Sequence, residues 1–191
     1  FKPTDMLAPA HLRLADSPVD SLTLGEVDNS MSERLQNISK ITTKAGWNGV
    51  AVNDIRKTKW TKLMSNAVWN TLGVITQATP TEAASFAPTA GLAEAMIREL
   101  LSLAQAAGTP LAADPARVVA DVTQRVSLPT STLQDVRAGR TLELDALINV
   151  LLEIGRITNV ATPNLSVVAA CCNLVNHKVM SEGLAFRQIK A

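Results

Sequence analysis

Lys62, Asn66 and Asn70 stand four residues apart in the segment KWTKLMSNAVWNTLGVI. In a helix that spacing puts all three on one face, about 6 Å per step. An ammonium group can stabilise negative charge growing on an oxygen and then hand over a proton. Two neutral amides can orient the same substrate by donating and accepting hydrogen bonds. Trp60, Leu63, Met64, Ala67, Val68, Leu72, Val74 and Ile75 supply enough apolar surface to bury most of this helix. The row is therefore expected to be partly desolvated and to need partners. An exposed stripe on an amphipathic helix, or a polar network joining two helices, accounts for the spacing equally well.

A second polar cluster lies in LPTSTLQDVRAGRTLELD. Ser131 is expected to cap a short helix beginning at Thr132, because its oxygen can accept an early backbone amide. Asp135 follows four residues later, Gly139 and Arg140 break the element, and Glu143 and Asp145 bracket the next helix start. Each has a structural use: a cap, a turn, an ion pair between Arg140 and Asp135. Together they place a hydroxyl, carboxylates and a guanidinium between two apolar elements, where they could close over the Lys62 row.

The elements that must position these groups change character along the chain. HLRLAD and SLTLGE alternate as short strands, MSERLQNISKITTKAG has helical periodicity ending near Gly46, and WNGVAVND returns to strand. No element is expected in FKPTDMLAPA. Strand, strand, helix, strand is a thin α/β layer over residues 1–56, with one sheet face uncovered. From residue 57 to 191 the pattern is helical: about Lys57–Gln77, a Thr/Pro turn, and GLAEAMIRELLSLAQAAG stopped by Gly108. DPARVVADVTQRV follows, capped by Asp114 with Pro115 in its first turn, and then LELDALINVLLEIGRITN with a seam at Leu144, Leu147, Leu151 and Ile154. The last helix starts near Pro163 or Asn164, with Asn164 as a cap, and Gly183 ends it.

Composition narrows the function classes. With 191 residues, 47% hydrophobic and 18% charged, the chain can bury a substantial core. A net charge of +1 makes no case for nucleic acid. Arg56, Lys57 and Lys59 are the one basic cluster, suited to a local anion or to a solvated helix start. Cys171 and Cys172 are adjacent in an apolar run, and His11 and His177 do not complete any zinc spacing, so core thiols in a reducing compartment and no metal are expected. No membrane span and no leader pattern is read, and the cytoplasm is the expected location. The face Val167–Val175 suits either a homodimer contact or a buried intrachain helix.

KWTKLMSNAVWNTL, STLQDVRAGRTLELDAL and GRITNVATPN, in this order, resemble the C-terminal domain of the ketopantoate reductase (2-dehydropantoate 2-reductase) family. The first segment is similar to the family pattern through Trp60, Lys62, Leu63, Asn66 and Asn70. The second is similar through Ser131, Asp135, Gly139, Arg140, Glu143 and Asp145. LTLGEVDN and VAVNDIRKTKW resemble the closing strands of the family's cofactor domain, so the likeness covers nearly the whole chain. It implies an α/β remnant of a Rossmann-type NADP-binding domain over residues 1–56. An all-α substrate-binding and catalytic domain would follow over 57–191, like the 6-phosphogluconate dehydrogenase C-terminal fold.

The resemblance also implies NADPH-dependent reduction of ketopantoate, in pantothenate biosynthesis. Lys62 would be the catalytic proton donor and Glu143 a catalytic-region carboxylate that orients it. Asn66, Asn70 and Ser131 would bind the small 2-oxo acid, with Ser131 on its carboxylate. Departures touch the substrate more than the reaction. Thr132 and Leu133 replace a methionine-rich stretch, Leu128 stands where some relatives carry a substrate-contacting asparagine, and Thr130 replaces a frequent serine. A related branched 2-oxo acid fits these changes. No G-x-G-x-x-G occurs in the sequence, so these residues alone are expected to bind NADPH poorly, and the family fold places that fingerprint before Phe1. The competing reading is a non-catalytic or truncated helical interaction module derived from the same family.

Overall fold

The computed structural model describes residues 21–186 in full and the backbone of strands 4–8 and 11–14. The histidine side chain at position 11 and the start of the chain at Phe1 lie outside the described residues. The chain divides into two compact units, Phe1–Lys59 and Trp60–Ala191.

In the first unit β1 (Thr4–Ala8) pairs antiparallel with β2 (His11–Leu14), and a register shift falls between Met6 and Ala8. β1 corrects the expectation that the first ten residues hold no element. β3 (Ser21–Leu24) pairs parallel with β4 (Asn48–Ala51), Leu24 opposite Ala51. The connection is α1 (Glu33–Lys44), the crossover a parallel pair requires. Ser32 accepts the Leu35 amide at 3.0 Å, and Glu33 and Lys44 complement the two ends of the helix dipole. The backbone of α1 lies directly on β4: a Cβ on Gly49 would come 2.4 Å from the Ser39 carbonyl oxygen. Glycine is what permits that approach. The expected single layer is instead two separate two-stranded sheets. Among the described residues of this unit Leu35 is the one buried apolar side chain, while Leu22, Ile38, Ile41, Trp47 and Val50 are exposed.

The second unit is helical. α2 (Ile55–Thr76) opens where the Asp54 carboxylate accepts the Lys57 amide at 3.1 Å. α3 (Pro80–Ser85) replaces the expected turn, because Thr79 and Glu82 form a reciprocal capping box around a first-turn proline. α4 (Ala87–Ala106) starts four residues before Gly91, and α5 (Pro115–Thr123) begins at the Asp114 cap as its sequence predicts. α6 spans Ser131–Arg137. The next helix begins at Leu144, widens into a π turn at Asp145–Asn149, and continues as α7 (Val150–Thr158). The extra residue in the π turn rotates the apolar seam, so that Leu144, Ile148 and Leu151 are buried and Leu147 and Ile154 only half-buried.

α8 (Pro163–Glu182) ends at Gly183 in the left-handed region, φ 63°. Its start differs from expectation. Asn164 does not cap it; the buried carboxylate of Glu99 on α4 does, accepting the Asn164 amide at 2.9 Å and the Leu165 amide at 3.0 Å. A full carboxylate is a stronger partner for a helix start than an amide side chain. Val168, Ala169 and Cys172 turn into the core with Val68, Leu72, Leu100, Leu133 and Leu165, whereas Val167 and Leu174 on α8 are exposed.

Candidate functional site

The sequence row is a gradient of burial on α2. Lys62 is exposed, Asn66 is half-buried, and Asn70 retains 7% of its surface. The cause is packing: the first fully enclosed residue of α2 is Met64, and from Ala67 to Val74 every residue is buried. The row is thus partly desolvated, as its apolar surroundings predict, closed at Asn70 and open at Lys62. No hydrogen bond of the Asn70 amide occurs among the described residues, yet no buried polar side-chain atom there lacks a partner, so the amide still reaches the surface.

What encloses the buried end is α6. At about 100° per residue, Gly73 and Gln77 fall within the arc that Lys62, Asn66 and Asn70 occupy. A Cβ on Gly73 would lie 3.7 Å from Leu133 Cβ. Four residues on, the Arg137 guanidinium donates to the Gln77 carbonyl oxygen and, at 3.4 Å, to its side-chain oxygen. Leu133 meets Gly73 and Arg137 meets Gln77, so α6 runs in the same direction as α2, and its first residues face back up the row. Ser131, two residues before Leu133, opens this helix. It is not the cap: Thr130 takes that role by accepting the Leu133 amide at 3.2 Å. Among the described residues the Ser131 hydroxyl has no hydrogen bond and is exposed.

Glu143 is held differently. It is exposed between buried Leu142 and Leu144. No ion pair joins it to Lys62 among the described residues. Arg140 pairs with Asp135 at 2.7 Å, the structural alternative the spacing allowed. The segment leans on α8, where Asn176 Oδ1 accepts the Leu142 amide at 2.9 Å. One turn earlier on α8, the Cys172 thiol donates to the Thr71 carbonyl oxygen at 3.5 Å. Burial pushes the Cys172 thiol up to about 12, while Cys171 is exposed.

Gly73, Gln77, Arg137 and Asn176 were not among the expected site residues. A glycine inside a long helix on the face of the polar row was the signal for a close neighbour; the other three carry no local signature.

No glycine-rich diphosphate loop occurs among the described residues. Gly25 and Gly49 are filled by their own chain, a Cβ on Gly25 falling 2.6 Å from Ile55 Cβ. An open concavity of about 560 Å³ near α1 is lined by Glu26, Asp28 and Arg34, the last paired with Glu26. Both carboxylates are held below their usual range, Glu26 chiefly by Arg34 and Asp28 chiefly by the Ser30 amide. Among the described residues no cluster suits a metal ion, and no helix is long and apolar enough to cross a membrane.

Residues 54–176 match the family described as the ketopantoate reductase PanE/ApbA C terminal. The chain is 30% identical over 148 residues to 2-dehydropantoate 2-reductase of Mesorhizobium japonicum, covering 78% of this chain and 45% of that one. With the enzyme of the same name from Aquifex aeolicus it shares 27% over 167 residues, 83% of this chain and 53% of that one. It thus spans about half the length of these curated relatives. The crystal structure of 2-dehydropantoate 2-reductase from Methylococcus capsulatus superposes with a TM-score of 0.83 at 28% identity, over 94% of this chain and 62% of that one. The same architecture, an α/β segment followed by a helical domain, is common to both.

Proposed function

Because this chain belongs to the ketopantoate reductase PanE/ApbA family, we propose that it acts in the NADPH-dependent reduction of 2-dehydropantoate, or a related small branched 2-oxo acid, to the 2-hydroxy acid, in pantothenate biosynthesis. Residues 57–191 form the substrate-binding and catalytic domain in this reading, and 1–56 the end of the Rossmann-type cofactor domain. What supports it is the family match over residues 54–176, which holds both motifs, together with the packing of α6 on α2 at Gly73 and Gln77.

The substrate has two ends that need different treatment. Its carboxylate is satisfied by neutral donors, the Ser131 hydroxyl and the Asn70 amide, at the half-enclosed end of the row. Its carbonyl oxygen gains negative charge as the carbon is reduced, and the ammonium of Lys62 stabilises that charge and delivers the proton. Asn66, between them, orients the oxo group. Exposure suits Lys62: proton exchange with water restores it after each turnover. Glu143 is assigned a positioning and electrostatic role toward Lys62, since the two are not hydrogen-bonded to each other. No described residue is assigned to the dinucleotide.

The test is substrate-dependent NADPH oxidation by the complete gene product. Lys62→Ala is expected to lower kcat by about 100-fold or more at unchanged Tm, and Ser131→Ala to raise KM for the oxo acid. Full activity in Lys62→Ala would remove it from the central role, and no reduction of any small 2-oxo acid by the parent protein would favour the interaction-module reading. A homodimer through Val167 and Leu174 belongs to the same proposal, and sedimentation of Val167→Glu measures it.

A further inference from the structure

We infer that Asn176, on α8, is a positioning residue that sets the direction of Glu143; this rests on the role just assigned to Glu143. Leu142 and Glu143 form a short non-helical approach to the helix that begins at Leu144, and the two leucines are buried while the glutamate between them is not. Two buried anchors fix where the segment lies, but rotation about its own axis needs a third constraint. Asn176 supplies it by accepting the Leu142 amide at 2.9 Å, one peptide unit from Glu143.

The same helix holds the far end of the segment. Asn149, the last residue of the π turn, and Asn173 exchange amide hydrogen bonds: Asn173 Nδ2 donates to Asn149 Oδ1 at 2.9 Å, and Asn149 Nδ2 donates to Asn173 Oδ1 at 3.2 Å. Asn173 Nδ2 also donates to the Ala169 carbonyl oxygen at 2.8 Å, which locks its amide orientation. Asn173 and Asn176 are three residues apart and share a face of α8. They clamp residues 142 and 149 on either side of the wide turn.

α8 also touches the row helix. Cys172 lies four residues before Asn176, about 6 Å along the axis, and its thiol donates to the carbonyl oxygen of Thr71, the neighbour of Asn70. One rigid helix therefore carries both the contact to α2 and the contact to the Glu143 segment. Loss of the Asn176 acceptor leaves the Leu142 amide without its partner, and the segment is free to turn Glu143 away while both leucines stay buried. A misplacement of about 1 Å at a site of this kind costs up to 100-fold in rate.

The experiment is a double-mutant cycle on substrate-dependent NADPH oxidation by the complete gene product, with Tm measured for every variant. Asn176→Ala is expected to lower kcat about tenfold with little change in KM for the oxo acid. Asn176→Gln, which keeps polarity but moves the acceptor by one methylene, is expected to fold and show a similar loss, and it replaces the alanine variant should that fail to fold. In a Glu143→Gln background either substitution is expected to cost less than twofold. Losses that multiply, or Asn176 variants as active as the parent, overturn this inference while the Glu143 reading stands. Parental activity in Glu143→Gln overturns the Glu143 reading itself, and this inference with it.

Discussion

The two ends of one row on α2 differ more than their sequence does. Lys62 and Asn70 lie on the same face, two turns apart, yet the lysine stands in solvent and the asparagine is almost enclosed. The difference is made by other elements: α6 on the row's own face at Gly73 and Gln77, and α8 at Thr71. An ammonium is costly to enclose and needs proton exchange with water; a neutral amide can be enclosed with an edge left open for a ligand. In the proposed reaction the gradient matches a substrate whose charge changes at one end and not at the other.

The comparison breaks most directly at its ends. Lys62→Ala is expected to remove at least about 100-fold of kcat and leave Tm within about a degree, because an exposed side chain with no packing role contributes little to stability. Leu133→Ala is expected to do the reverse. That side chain is fully buried, and its loss costs about 2–5 kcal/mol by urea denaturation, with a rise in KM as α6 loosens from the row. Equal stability effects at the two positions would erase the distinction drawn here.

A smaller effect sharpens the role of the α2 terminus. Gln77 sits at φ 60°, where a side chain is disfavoured. Gln77→Gly is expected to stabilise the protein by about 0.5–1 kcal/mol, since Arg137 still has the Gln77 carbonyl oxygen to bond. Two titration effects are smaller again. Asp54 and Glu82 are held below their usual range, each first by a backbone amide, that of Lys57 and that of Thr79. A folded-state value below the unfolded one means stability present above the unfolded carboxylate range and lost as pH falls through the folded values. Tm is therefore expected to decline on acidification, and Asp54→Asn to flatten that decline. For Cys172 the sign is opposite: raised to about 12, its contribution is complete below the unfolded thiol range and lost in strong alkali. At neutral pH iodoacetamide is expected to label Cys171 and spare Cys172 in the folded chain, read by peptide mass spectrometry.

Much of the helical unit was legible because its signals are local. Asp114 with Pro115, Gly183 after α8 and the apolar spacing of α4 each act within a turn or two of their own position. The same locality explains the misses. Ser131 and Thr130 are equally good caps by type, and only the Thr130 bond to the Leu133 amide distinguishes them. Asn164 looks like a cap in sequence, but a carboxylate sixty-five residues earlier, Glu99, occupies that role. The π turn at Asp145–Asn149 has no compositional signature and is held by Asn173, twenty-four residues on. In the first unit the thin layer and its exposed apolar residues were expected, whereas the separation into two sheets depends on which strand edges meet, which alternation does not encode.

Local pattern was enough for the helix that carries Lys62, Asn66 and Asn70, the order of the two motifs and, through them, the family. Periodicity and motif spacing are properties of neighbouring residues. Tertiary structure alone decided that α6 packs on α2 at Gly73 and Gln77, that Thr130 and not Ser131 caps α6, and that the Leu142 amide finds its acceptor in Asn176 of α8. Those outcomes turn on which distant donor reaches a given acceptor first, and that competition is resolved only when the core closes around α2.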